Sequence, residues 1–477
     1  MALVGAVVVS VAITRWVPVA TDEAWFLEVV RRVRRGDRLY EDVFFGAGPV
    51  AVWLAMLAVS ISRPQIVVMR SLTIAYGLAT WVAGAFLLEA AGAGTALAVL
   101  FVVAVVALGG HHLVMENHYG QLSTLGTVIA AVGVLEGEWL ISGAGVLLAL
   151  SGKYSLGVFA LAWAVPLLAV EAGLGTVLWM LATVVAGVVV MALGLSIRGV
   201  KGFLSTAVAN KGVYLSSAII WPHDDLIRRL RVPRRSRLYR ISGSIGPIAV
   251  LVVAGLGVVG VILGLLIGVV EESTMLLVAG SLCATGLLVA FPRADYNHLV
   301  AAMPLVLAGL SLIAMWSGLS MAGVTVAGAV VAVVLVAGLL TAALAPRYTE
   351  FRRDLAHLKL LPVPRQRGTW PDDTAALRAV AGDEVFVLRP DASFFYLAGR
   401  LRNPTPYDYP LASTFGPHGQ ERVAAEIVSG AVRWVCQPGP IGGPLAPVRL
   451  EQLIAGMTPV ADTPVGSLYG LVAASND

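Results

Sequence analysis

IGPIAVLVVAGLGVVGVILGLLIG, Ile245–Gly268, holds no charged, amide or hydroxyl side chain in 24 positions. As a helix it would be about 36 Å long, enough to cross a hydrocarbon layer about 30 Å thick. Seven arginines lie just before it, between Arg228 and Arg240, and Glu271-Glu272 follow it. Further apolar runs lie on either side. Hydropathy places spans near 1–19, 64–88, 94–111, 120–135, 139–152, 154–170, 174–197, 245–268, 274–291, 298–316 and 320–344. Composition agrees: 58% of the 477 residues are hydrophobic and only 13% charged, against about 25% charged in a soluble domain. Mean hydropathy is +0.84. The expected fold is mostly α: a polytopic membrane protein of about eleven transmembrane helices with interfacial amphipathic helices. A membrane-embedded domain over 1–345 is followed by a small soluble α/β domain over 346–477.

Charge placement supports this count. With loops assigned alternately to two sides, all 33 Lys and Arg fall on or near the side reached after spans 1, 3, 5, 7, 9 and 11. The other side carries only Glu89, Glu136, Glu138, Glu171, Glu271 and Glu272. A wrong count would mix the two groups. The apolar start, Met1–Ile13, has no basic segment, and a cut after Ala20 would place Pro18 in the recognition site, so it reads as a first helix rather than a signal peptide. It is short for a span, and the true start can lie upstream. Two cysteines, Cys283 and Cys436, encode no disulfide framework.

The arginine-rich side also holds three long polar stretches. In 20–63, Glu23–Arg35 sets Trp25, Phe26, Val29, Val30 and Val33 among Arg31, Arg32, Arg34 and Arg35, the pattern of an in-plane amphipathic helix. The second stretch is 198–244. The third is the tail, with strand Glu384–Leu388, helix Asp391–Arg400, helix Gln420–Val428 and strand Val432–Cys436 expected.

Four clusters on that side carry chemistry, and ionisable groups at membrane helix ends are functional candidates. Asp22 and Glu23 supply adjacent carboxylates that suit a general base and a ligand for a cation or sugar hydroxyl; an N-cap explains them equally. His111-His112-Leu113-Val114-Met115-Glu116-Asn117-His118-Tyr119 gathers three of the seven histidines. Glu116 and His118 suit a divalent cation shared with Asp22, or interfacial side chains snorkelling at a helix end. Cofactor and metal therefore stay unknown, with a divalent cation possible. Lys153, in Ser151-Gly152-Lys153-Tyr154-Ser155, is the one Lys or Arg between Arg70 and Arg198. A phosphate would answer its charge; so would snorkelling. Arg293, Asp295 and His298 suit a phosphate-and-hydroxyl site, although Arg293 and Asp295 can simply pair.

In order along the chain, these clusters resemble the type C glycosyltransferases, the superfamily of dolichyl-phosphate-mannose protein mannosyltransferases and the lipid A aminoarabinose transferase. The likeness rests on Arg15…Pro18…Asp22-Glu23, then Gly36-Asp37-Arg38-Leu39-Tyr40-Glu41-Asp42-Val43-Phe44-Phe45 and Gly48-Pro49. It continues in Gly145…Ser151-Gly152-Lys153-Tyr154, Phe291-Pro292-Arg293…His298…Pro304, Tyr396-Leu397-Ala398-Gly399-Arg400 and Gln420-Glu421…Val432-Arg433-Trp434-Val435. Residues 198–244 find no counterpart, and the second loop lacks a clear acidic pair.

The resemblance implies a multi-pass enzyme of the cell membrane. Its donor would be a sugar on a polyprenyl phosphate and its acceptor a hydroxyl on a lipid, glycan or protein, not a nucleic acid. It implies that Asp22 is the base, with Glu23, Glu116, His118, Asp295 and His298 placing substrate or a cation. Lys153 and Arg293 would hold the leaving phosphate. Catalysis would lie on the extracytoplasmic face, whereas the positive-inside rule places arginine-rich loops in the cytoplasm. A transporter or flippase for a lipid-linked anionic glycan is the alternative; transporters carry charge at mid-membrane and internal repeats, and neither is seen. A non-catalytic assembly protein would not need acids and bases gathered at one membrane depth.

Overall fold

The computed structural model of the protein describes residues 21–61, 65–92, 118–205, 237–290, 296–318, 369–390, 392–399, 401–416, 418–437, 439 and 446–470. Its membrane part begins with α1 (Thr21–Arg34) and α2 (Pro49–Ile61). Next come α3 (Gln65–Ala90), α4 (His118–Leu135), α5 (Trp139–Gly152), α6 (Tyr154–Ala172) and α7 (Leu174–Leu193). A short helix over 197–205 follows, and then α8 (Arg237–Val270), α9 (Thr274–Ala290) and α10 (Tyr296–Trp316). Eight of the eleven expected spans fall on these helices; the other three, 1–19, 94–111 and 320–344, lie outside the described residues. Among the described residues four segments are long and apolar enough to cross a membrane: Val68–Ala90, Tyr154–Ala172, Leu174–Leu193 and Val252–Val270.

Two of these segments face outward. Along Leu174–Leu193 and Val252–Val270 most side chains are exposed, Leu178, Val190, Leu266 and Val269 among them. Such an apolar exterior is stable against lipid and not against water. Inside, small residues bring the helices together. A Cβ on Gly126 would meet the backbone of Gly145 and Ala149, and one on Gly145 would meet Gly126 and Ala130. The antiparallel pair α4 and α5 therefore touches backbone to backbone, as small residues allow between membrane helices. At one end of the bundle, Glu89, Glu136 and Glu138 line a cavity of about 560 Å³. All three belong to the acidic side deduced from the sequence; His118 and Lys153 are at the opposite ends of α4 and α5.

The tail contains α11 (Thr369–Ala381), β1 (Phe386–Val387), α12 (Ala392–Gly399), α13 (Ala412–Phe415) and α14 (Gly419–Val428). It continues with β2 (Trp434–Gln437), α15 (Val448–Ala455), β3 (Pro459–Thr463) and β4 (Gly466–Gly470). The strands make one sheet in the order β1-β2-β4-β3, parallel between β1 and β2 and antiparallel elsewhere. Alternate residues feed two cores: Val387 and Cys436 pack with Leu377, Phe395 and Tyr396, while Phe386 and Val435 pack with Val423, Ile427 and Leu450. A sheet covered on both faces reads in sequence as an unbroken apolar run, as in Val385-Phe386-Val387-Leu388. The two strands and two helices expected in the tail are present. The helices α11, α13 and α15 and the β3–β4 hairpin, of which β3 is the more exposed strand, are additional.

Candidate active site

Asp22 and Glu23 occupy the first turn of α1, where acidic side chains meet the positive end of the helix dipole. Asp22 is partly exposed, whereas Glu23 is buried. Glu23 takes a forked pair from Arg70 of α3, Oε1 to Nε at 2.6 Å and Oε2 to Nη2 at 2.8 Å. An arginine inside an apolar helix needs such a partner, and the two-point contact fixes orientation as well as distance. Glu23 thus tethers the start of α1 to a membrane helix and leaves its neighbour Asp22 beside the bundle end.

After α1 the chain turns back through Asp37–Val43. Arg38 reaches Glu41 at 2.8 Å and Asp42 at 3.0 Å, and Ser196 donates to Glu41. Tyr40 is buried with φ +67°, and its hydroxyl donates to the Ala47 carbonyl at 2.5 Å. A non-glycine residue in that region is held by its surroundings; here Phe203 stacks obliquely on the ring, and a Cβ on Gly202 would collide with the Tyr40 carbonyl. The amide of Gly48 then donates to the Gly152 carbonyl at 2.7 Å, which joins the first loop to the Lys153 turn. Lys153 separates α5 from α6 in an extended conformation, partly exposed, with its own amide bonded to the Ser123 hydroxyl of α4.

Aromatic rings close the same region from the side of α4: Phe26 and Phe45 both meet Tyr119 edge-on. Tyr119 directly follows His118, the first residue of α4. The first loop, the start of α4 and the Lys153 turn therefore share one end of the bundle.

The tail lies against the same loop. Trp25 packs on Phe44, Phe45 and Tyr409, and the Phe44 amide donates to the Pro406 carbonyl at 2.8 Å. Arg32 is buried and donates to Asp37 (2.8 Å), the Asp42 carbonyl (2.8 Å), the Thr405 carbonyl (2.8 Å) and Asp408 Oδ1 (2.9 Å). Asp408 is fully buried, and Asn403 donates to the same Oδ1 at 2.9 Å. Burial pushes the Asp408 carboxyl up, and the Arg32 charge opposes the shift. One turn before Arg32, Glu28 is pushed up to about 8, first by burial and then by the Asp408 charge, with Arg31, Arg35 and Arg32 acting against it.

These contacts revise the amphipathic reading of α1. The helix is there, but Ala24–Val30 is buried without interruption, so protein covers the face that a helix lying on a bilayer would give to water. Of the expected site residues, Asp22, Glu23 and Lys153 come to one end of the bundle. His118 opens α4 and His298 lies in the first turn of α10. Glu116, Arg293 and Asp295 lie outside the described residues, and with Glu116 goes the expected cation partner of Asp22. Among the described residues, no group of three or more His, Cys, Asp or Glu is placed to hold a metal ion. Arg70, Arg32 and Asp408 were not among the expected residues. Arg70 alone had a signal, a charge inside an apolar run.

No family model matches the chain, and no curated protein matches it. Among solved structures it is similar to the Archaeoglobus fulgidus oligosaccharyltransferase in its apo form, at 13% identity over 91% of this chain and 69% of that one, with a TM-score of 0.48. It is also similar to ArnT from Cupriavidus metallidurans in the apo state, at 13% identity over 98% and 96% with a TM-score of 0.45. The same enzyme bound to undecaprenyl phosphate matches at 13% identity over 99% and 98%, with a TM-score of 0.43. These matching structures are type C glycosyltransferases.

Proposed function

We propose that this chain is a membrane glycosyltransferase that moves a sugar from a polyprenyl-phosphate donor to an acceptor hydroxyl with inversion. One observation carries the proposal: the acid at the start of α1 and the lysine of the Lys153 turn come to the same bundle end, where the loop after α1 is bonded to that turn through Gly48 and Gly152. Asp22 takes the proton from the acceptor hydroxyl, which attacks the anomeric carbon from the side opposite the phosphate. The C–O bond to the phosphate breaks, and the leaving group departs as polyprenyl phosphate. Its negative charge grows as the bond opens, so Lys153 and Arg293 stabilise the transition state more than the bound donor. Glu23 orients the base by holding its backbone on Arg70. Glu116, His118, Asp295 and His298 place the sugar, the acceptor or a cation. The tail and the site face the outside of the cell, and the arginines of that face serve lipid phosphates.

The test uses the full chain in lipid nanodiscs with polyprenyl-phosphate mannose, arabinose and aminoarabinose as donors, following release of polyprenyl phosphate and the anomeric configuration of the product. Release with inversion, lost in Asp22→Asn, supports the proposal. Donor carried across a vesicle membrane without cleavage would replace it with the transporter.

A further inference from the structure

We propose that the tail is a working part of the active site: Asp408 is a positioning residue that holds the Asp22 helix in place through Arg32. This rests on the reading of Asp22 as the base. A helix of 14 residues is marginal on its own and frays at its ends. α1 is instead fixed at two points nine residues apart, about 13 Å of helix. Glu23 on Arg70 holds the first turn to the membrane bundle, and Arg32 on Asp408 holds the last turn to the tail.

The second point is built for one register. Four of the five guanidinium N–H groups of Arg32 are used: two on the loop that follows α1, at Asp37 and the Asp42 carbonyl, and two on the tail, at the Thr405 carbonyl and Asp408. The tail sets the acceptor from its own side. Asn403 donates to Asp408 Oδ1, and the Thr405 amide and hydroxyl both donate to Asn403 Oδ1. Ser393 donates to the Asp408 carbonyl at 2.8 Å. Apolar contacts such as Trp25 on Tyr409 hold two surfaces together but let them slide. A buried, directional ion pair does not, and fixing register is the best-attested use of such pairs. With the Asp408 charge gone, Arg32 keeps one carboxylate, Asp37, which is partly exposed. The last turn is then free to turn towards water, and the motion passes along the rigid helix to Asp22. A displacement of about 1 Å at a reacting group costs roughly 10²-fold in rate.

The experiment compares the full chain with Asp408→Asn in nanodiscs by hydrogen–deuterium exchange, undecaprenyl phosphate binding and transfer from the donor panel above. The expected result is at least about tenfold faster amide exchange over 28–34, with strand 434–437 and undecaprenyl phosphate affinity unchanged. In transfer, kcat falls about 10- to 100-fold while the donor KM stays within about threefold. Unchanged exchange over 21–34, or faster exchange there with full kcat, overturns the proposal. If Asp408→Asn also loosens strand 434–437, the double variant Arg32→Met with Asp408→Leu decides, because it removes both charges and keeps the apolar contacts. A depressed kcat supports positioning and a full kcat overturns it. Asp22→Asn separates the two readings: if it still transfers, the base is misassigned, while the exchange result stands.

Discussion

Glu23 and Arg70, 47 positions apart in sequence, form a forked ion pair in which neither side chain reaches solvent. Buried charges of this kind depend on each other: removing one partner strands the other, at a cost of about 3–5 kcal/mol. Glu23→Leu and Arg70→Met should each lower the melting temperature of the full chain in detergent. The double variant Glu23→Leu with Arg70→Met should recover more than half of the loss and still transfer poorly, because the tether of Asp22 is gone. Simple additivity of the two single losses would show that the pair is not coupled.

Lys153 has its backbone held by Ser123 and its turn held by the first loop. Lys153→Ala should therefore leave the turn folded and weaken undecaprenyl phosphate binding about tenfold or more, the value of a charge-assisted hydrogen bond. Gly48→Ala attacks the same turn from the other side, since the new Cβ would collide with the Ser151 carbonyl. It should reduce both affinity and stability. Isothermal titration with undecaprenyl phosphate and thermal melting separate these effects, and wild-type affinity in Lys153→Ala would assign that ammonium to snorkelling.

The eight helices that coincide with expected spans were legible because a bilayer demands long apolar runs with charge at their ends. The tail strands were legible where both sheet faces are covered, as in Val385–Leu388, and not in the hairpin Pro459–Gly470, where only Val465 and Leu468 are buried and no apolar run marks either strand. Asp22 and Lys153 stood out as charges at helix ends. Asp408 could not, because nothing in Asn403-Pro404-Thr405-Pro406-Tyr407-Asp408-Tyr409 marks it as the partner of an arginine 376 residues earlier. Arg32 lay hidden among four arginines of one amphipathic segment. The pattern that predicted a helix on the membrane surface is satisfied equally by a helix with protein on both sides. Only the three-dimensional position of the tail distinguishes the two.

The pH dependence of stability should expose Glu28. Its carboxyl moves from an ordinary 4.5 to about 8 in the folded chain. Between those values the folded chain keeps a proton that the unfolded chain has lost, so stability falls as pH rises across the window and levels off above about 8. Asp408 is raised as well, which acts in the same direction, while Arg31, Arg35 and Arg32 oppose the shift. Glu28→Gln should melt at a similar temperature at pH 5, at a higher one than wild type at pH 8, and with a flatter slope between. Equal slopes for wild type and variant would place the titration elsewhere.

Asp22→Asn is the sharpest test of the proposed chemistry. The amide has nearly the shape of the carboxylate and can still accept a hydrogen bond at the start of α1, so a residue that only caps the helix would lose little. A general base would lose its function, and positioned bases contribute about 10²–10⁴-fold. Turnover should therefore fall at least about 100-fold, with undecaprenyl phosphate affinity and melting temperature close to wild type. Glu23→Gln is the comparison that matters, because its carboxylate is committed to Arg70 and its loss should act on stability first. Activity that survives in Asp22→Asn but vanishes in Glu23→Gln, at unchanged stability, would move the base by one residue. Activity that survives in both, and in Glu116→Gln, would remove the basis for an acid–base enzyme at this bundle end.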